Sequence, residues 1–183
     1  MFSFFLKLFK GSQTPSPQPP APMQIELAEA PAREPIERRR RKRIDARRGT
    51  RVLVIDDSPT VLAVFRKFLT SAGYVVYEAH DAESGLDLAR AHRPQLIFLD
   101  IILPGMNGFA ALRQIRRDPT TKNIPVIMIS GNEQAAEQFY ASRIGADVFM
   151  KKPFTRRDVF HSIEPLLDDL LVPRHVARTP IPA

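Results

Sequence analysis

Residues 96–108 read LIFLDIILPGMNG: four apolar side chains, an aspartate at position 100, three more apolar residues, then Pro104, Gly105, Asn107 and Gly108. A continuous apolar run, rather than an alternating one, is how a strand buried on both faces reads, and the turn residues mark where it ends. The same signature recurs at Val52–Ile55, Tyr74–Tyr77, Val126–Ile129 and Val148–Met150. Amphipathic stretches lie between these runs. Residues 59–71 place Val61, Val64, Phe65 and Phe68 at helical spacing, 82–91 carry Leu86 and Leu88, and 108–117, 134–143 and 155–170 follow. Five strand–helix units in about 120 residues predict an α/β fold: a right-handed, doubly wound, five-stranded parallel sheet with helices on both faces.

In such a sheet the chemistry gathers at the carboxyl ends of the strands. Here that edge is acidic. Asp56 and Asp57 follow the first strand, Asp100 ends the third, Ser130 ends the fourth, and Lys152 with Pro153 follows the fifth. In the flavodoxin-like order 2-1-3-4-5 the first, third, fourth and fifth strands are neighbours, so these groups converge on one pocket. Three carboxylates at close range repel one another unless a cation sits among them. With oxygen ligands only, Mg²⁺ is the natural occupant, and Lys152 and Ser130 add a positive charge and a hydroxyl donor for an anion such as phosphate.

These residues occur as VLVIDDSPT (52–60), LIFLDIILPGMNG (96–108), VIMISG (126–131) and FMKKPF (149–154). In this order and spacing they resemble the receiver domains of bacterial two-component response regulators, of the stand-alone chemotaxis or twitching-motility kind, over residues 51 to about 170. The resemblance implies that Asp100 accepts a phosphoryl group from phosphohistidine. It implies further that Asp57 and the backbone carbonyl of Ile102 bind Mg²⁺ directly, as does Asp100, with Asp56 acting through water. Lys152, the second of two lysines because it abuts Pro153, would pair with Asp100 and then with the phosphoryl group, across a cis Lys152–Pro153 peptide. Ser130 and Phe149 would form the switch, read out on a surface made by the fourth predicted helix, the fifth strand and the fifth helix. Phe149 stands where the family often has tyrosine. Ile102 stands where fast-cycling receivers carry a polar residue, which implies slow self-dephosphorylation.

Each signal has a plainer reading when taken alone. Asp57 and Ser58 before Pro59 form a helix start, Asp100 a strand-end turn, and Pro104 with Gly108 turn punctuation. Ser130 and Phe149 singly are core residues. His80, His92, His161 and His175 have no metal spacing and receive no role.

Outside residues 51–170 the chain changes character. It has no cysteine, which excludes disulfides and thiolate metal sites and fits a reducing, cytoplasmic setting. The net charge of +7 is concentrated: residues 33–51 hold ten Arg or Lys against Glu34, Glu37 and Asp45, and the rest is balanced. Residues 1–10 (MFSFFLKLFK) form an amphipathic segment too short to span a bilayer. Residues 11–50, Pro-rich and then Arg-rich at 38–48 (RRRRKRIDARR), read as a disordered linker, and 171–183 as a flexible tail with no second folded domain at either end.

The expected function is phosphorelay signalling. The partners are a histidine kinase or phosphotransfer protein and a downstream protein target, and the chain is not an enzyme beyond its own phosphorylation and dephosphorylation. An apolar anchor plus a polybasic run suggests an anionic membrane surface, contacted through residues 1–10 and 38–48 at the cytoplasmic face. The alternative is nucleic-acid binding through the Arg-rich arm, gated by the receiver; it lacks a recognition helix, an aromatic ladder or a zinc site. A phosphatase working on other molecules through an aspartyl-phosphate would need a lid that the sequence does not provide.

Overall fold

Residues 44–131 and 143–176 are described by the computed structural model. Five strands alternate with helices: β1 Arg51–Ile55, α1 Pro59–Ser71, β2 Val75–Ala79, α2 Ala82–His92, β3 Leu96–Asp100, α3 Gly108–Arg117, β4 Val126–Ser130, β5 Val148–Lys151 and α4 Arg156–Ile163. The strands form one sheet in the order β2-β1-β3-β4-β5, with every pairing parallel. This is the flavodoxin-like order, with order reversal between β1 and β3. The helix expected at 134–143 lies largely outside the described residues.

The unbroken apolar runs are explained by a core on each face of the sheet. Leu53, Ile55, Ile97, Leu99, Val126 and Met128 point to one side, where α2 and α3 cover them with Leu86, Leu112 and Ile115. Their neighbours Val52, Val54, Leu96, Phe98, Ile127 and Ile129 point to the other, under α1 and α4. At the centre of this second core Phe65 packs on Phe98 and Phe154 with ring centroids 4.7 and 4.9 Å apart. Truncating such a fully buried ring costs about 3–5 kcal/mol.

Local chemistry sets the helix starts. Ser58, with Pro59 at the first helical position, accepts the Val61 N–H; Asp81, Asn107 and Thr155 cap α2, α3 and α4 in the same way. The buried stripe of α1 is Leu62, Phe65 and Leu69, with Val61 and Phe68 at its margins, so the face is turned slightly from the one the periodicity suggests.

Several boundaries differ from the sequence reading. Tyr74 is not in β2: its hydroxyl accepts the Ala46 N–H at 2.7 Å and its ring meets Phe160 edge-on, so pairing starts at Val75. The long helix expected over 155–170 ends at Ile163 and passes through a 3₁₀ turn, Glu164–Leu166. The linker and tail are not wholly free of the fold. Ala46 is buried in the α1/α4 core, and the Arg47 N–H donates to the Leu171 carbonyl at 2.9 Å. Beyond it, the Asp168 side chain collects the N–H groups of Leu170 and Val172 and the guanidinium of Arg174, and residues Leu167 and Pro173 pair as an antiparallel bridge. Composition marks these segments as loops, but it cannot show that a single acid organises one of them.

Candidate functional site

The carboxyl ends of β1, β3 and β5 bring four charged side chains together. Ligand oxygens of Asp56, Asp57 and Asp100 all lie within 4.8 Å of one another. Lys152 reaches them from the loop after β5: its Nζ is 2.6 Å from Asp100 Oδ2 and 2.7 Å from Asp56 Oδ2. The Lys152–Pro153 peptide is cis. Lys151, the neighbouring lysine, ends β5 and is exposed.

The carboxylates are not equivalent. Asp56 and Asp100 are buried while Asp57 is exposed. Asp56 Oδ1 accepts the Ser58 N–H at 3.1 Å, but its buried Oδ2 has no hydrogen bond of good geometry, so the nearby ammonium offers it charge more than a bond. Asp100 Oδ1 accepts the Ile102 N–H at 3.3 Å. Burial pushes the Asp100 carboxyl above its ordinary value, more than its bond to Lys152 pulls it down. For Lys152 burial alone would lower the value, yet the bond to Asp100 and the negative charge of Asp56 beside it hold it raised, so the side chain stays an ammonium.

Three carboxylates against one ammonium leave an excess of two negative charges in a partly dry site. An all-oxygen donor set with that imbalance fits a hard divalent cation.

Gly108 fixes the loop that follows Asp100. A Cβ there would stand 2.0 Å from the Asp100 carbonyl oxygen, and the Gly108 N–H instead donates to the Ile101 carbonyl at 2.9 Å. The start of α3 therefore rests directly on the end of β3. Gly108 is more than turn punctuation: eight residues after an aspartate that ends a strand, a glycine opening a helix is the signal for such a close approach.

This acid-and-lysine edge on a 2-1-3-4-5 sheet coincides with a family match. The model of the response regulator receiver domain covers residues 52–164. The chain belongs to the response regulator receiver family. Receiver domains are phosphoacceptors that bind Mg²⁺ at an acidic cluster and work in two-component signalling, and the Asp56, Asp57 and Asp100 group stands where such a cluster is needed.

Among curated receivers, protein PilH of Pseudomonas aeruginosa is 34% identical over 117 residues, 64% of this chain and 97% of PilH. The transcriptional regulator RpaA of Synechocystis is 36% identical over 117 residues, but that stretch is only 48% of RpaA. Chemotaxis protein CheY4 of Vibrio cholerae superposes with a TM-score of 0.63 at 26% identity, covering 65% of this chain and 99% of that one.

Two further predicted residues lie on the neighbouring strands β4 and β5. Ser130, fully buried, is one position past Ile129, the register partner of Asp100, and its carbonyl accepts the Lys152 N–H at 2.7 Å. Phe149 pairs in register with Met128 and packs half-buried against the α2/α3 core. Strand alternation puts Ser130 and Phe149 on that same face of the sheet. Ile102 is 65% exposed at the rim of the site. Of the histidines left without a role, His175 has one in the fold, with Nδ1 2.6 Å from Asp147 Oδ1.

Proposed function

We propose that this chain is a stand-alone phosphorelay receiver, phosphorylated on Asp100 by a histidine kinase or phosphotransfer protein and signalling by protein contact. The observation that carries the reading is the Lys152 ammonium at 2.6 Å from Asp100 Oδ2, inside a group of three carboxylates. In the reaction an Asp100 carboxylate oxygen forms a bond to phosphorus as the bond from phosphorus to the donor's imidazole nitrogen breaks, and that nitrogen regains a proton. The transition state spreads charge over three equatorial oxygens, so catalysis is positioning and neutralisation. Lys152 holds Asp100 before transfer and the phosphoryl group after it, while the Ile102 N–H orients the other carboxylate oxygen. Asp57, Asp100 and the Ile102 carbonyl would hold Mg²⁺, with Asp56 acting through water; the ion supplies charge neutralisation at the phosphoryl oxygens.

The readout we assign to Ser130 and Phe149. Ser130 turns toward the new phosphoryl oxygen and Phe149 takes the space it leaves, which alters the surface of β5 and α4. Phenylalanine has no hydroxyl to bond at either end of the swing, so the movement is driven by packing. Ile102 offers an aliphatic side chain where a polar one would orient water, and self-dephosphorylation is accordingly slow. Ile102→Asn is expected to speed it by on the order of tenfold, measured as decay of phosphoprotein after donor removal.

Among the described residues no helix is long and apolar enough to cross a membrane. The reading places the protein in the cytoplasm, with residues 1–10 and the basic run 38–48 able to bring it to an anionic membrane surface.

The test is intact-protein mass after incubation with Mg²⁺ and acetyl phosphate. One added phosphoryl group is expected in the wild type and none in Asp100→Asn; equal labelling of both would overturn the assignment.

A further inference from the structure

The large aliphatic side chains exposed among the described residues are Ile44, Val75, Ile102, Leu170, Leu171 and Val176. Ile102 belongs to the acceptor edge. The other five all lie at the opposite edge, where the strands begin. Val75 opens β2 in register with Arg51, the first residue of β1. The Leu171 carbonyl receives the Arg47 N–H, and Leu170, 71% exposed, adjoins it. Ile44 donates its N–H to Glu164 Oε1 at the end of α4, and Val176 donates to Asp147 Oδ1 just ahead of β5. Scattered aliphatics are ordinary on a protein surface, whereas a collection at one pole marks a contact surface.

The charges at this pole have one dominant sign. Arg47, Arg48, Arg51 and Arg93 are exposed there, with an Arg51 guanidinium nitrogen 3.2 Å from the Arg93 carbonyl. The acids nearby are largely engaged: Asp147 is buried against Arg116 and His175, and Asp168 is paired with Arg174. Asp169, exposed beside Leu170, and Asp45, half-buried beside Ile44, set two negative charges against these arginines, and Glu164 is engaged by the Ile44 N–H and His161. Immediately before Ile44 the sequence runs RRRRKR from 38 to 43, so the described fold begins where that basic run is attached.

We propose that this pole of the folded domain is itself a docking face for an anionic lipid surface, and that it turns the acidic acceptor edge away from the membrane. The occupant follows from the chemistry. Guanidinium groups interspersed with aliphatic side chains suit a surface that offers anionic headgroups above hydrocarbon. Nucleic acid would use the arginines but gain little from Leu170 or Ile44, since bases stack on aromatic or guanidinium planes. The proposal goes beyond attachment by the arm alone, because it assigns contact to Arg47, Arg48 and Leu170 of the folded part.

The test uses the full chain and co-sedimentation with vesicles of phosphatidylcholine, either pure or containing about one third phosphatidylserine. The wild type is expected to bind only the anionic vesicles. Arg47→Gln with Arg48→Gln should weaken binding roughly 20-fold and Leu170→Asp roughly tenfold, with labelling by acetyl phosphate unchanged as proof of folding. If both variants bind like the wild type while replacing residues 38–43 with glutamine abolishes binding, the docking face is wrong and attachment by the arm stands. If the wild type binds neither vesicle, both ideas fail. Competition by duplex DNA together with an unaffected Leu170→Asp would overturn the lipid assignment in favour of nucleic acid.

Discussion

Asp100 and Asp147 are carboxylates of one sheet, both buried, at opposite ends of its strands, and they are treated in opposite ways. Asp147, just ahead of β5, is saturated. Oδ2 accepts from Arg116 and from the Val126 N–H, each at 2.8 Å, and Oδ1 meets His175 at 2.6 Å and the Val176 N–H at 2.7 Å. Arg116 is equally occupied, donating to the carbonyls of Gly145, Lys122 and Ile124 as well. Asp100 has one N–H at 3.3 Å, one lysine that it shares with Asp56, and two carboxylates for neighbours. The difference separates an acid that holds a structure from one left free for chemistry. Fixed donors that fill every lone pair lock a carboxylate, while a shared ammonium and repelling neighbours leave it open to a cation and, on the proposed function, to a phosphoryl group.

The sharpest way to break this contrast is to remove the saturated acid. Asp147→Ala strands the Arg116 charge and the Val126 N–H and unpins Val176, so it is expected to cost about 3–5 kcal/mol in urea unfolding. A loss below about 1 kcal/mol would mean that the network is ornamental. Gly108→Ala comes next: its Cβ must displace the Asp100 carbonyl or the start of α3, at about 1–3 kcal/mol and with slower labelling by acetyl phosphate. His175→Ala, which removes one partly exposed bond from Asp147, should cost about 1 kcal/mol and leave labelling unchanged.

The smallest effect has the opposite sign. Because burial raises the Asp100 carboxyl above its ordinary 3.8, its ionised form disfavours the fold. The stability tied to this group is present below the unfolded value and is lost as pH rises through the raised folded value. Asp100→Asn is therefore expected to be at least as stable as the wild type at neutral pH, in Mg²⁺-free buffer, with the gap closing on acidification. A gap that widens toward low pH would contradict the assignment. Asp118 gives the reverse case at the exposed end of α3. Hydrogen bonds from Thr120 hold its carboxyl down to about 2, so what it contributes is present above 3.8 and lost as pH falls from there through about 2.

Much of this was legible in the chain. Strands sandwiched between two cores have no polar face, so β1, β3 and β4 appear as uninterrupted apolar runs, and the acids at the ends of β1 and β3 stand out. The acid-and-lysine edge could be read because its members sit beside strand ends, where sequence position translates directly into spatial position. The Asp147 network could not. Arg116, Asp147 and His175 come from a helix end, a strand start and a loop, and no spacing links them. Tyr74 was misplaced for the same reason: aromatic and next to valines, it reads as strand until its hydroxyl is found on Ala46. Gly108 lay between the two cases, visible as a glycine but not as a close contact with Asp100.

The hydrogen bond from the Arg47 N–H to the Leu171 carbonyl carries a consequence for protein engineering. It joins a residue just ahead of β1 to one in the segment after α4, at the same edge of the sheet, the arrangement that permits circular permutation. A short linker joining residue 176 to residue 44, with new ends opened in an exposed connection such as Pro119–Thr120, would give a rearranged chain with the same sheet. A fluorescent protein fused at those new ends would then be moved out of the neighbourhood of Leu171, offering a handle by which a biosensor could be built from this module.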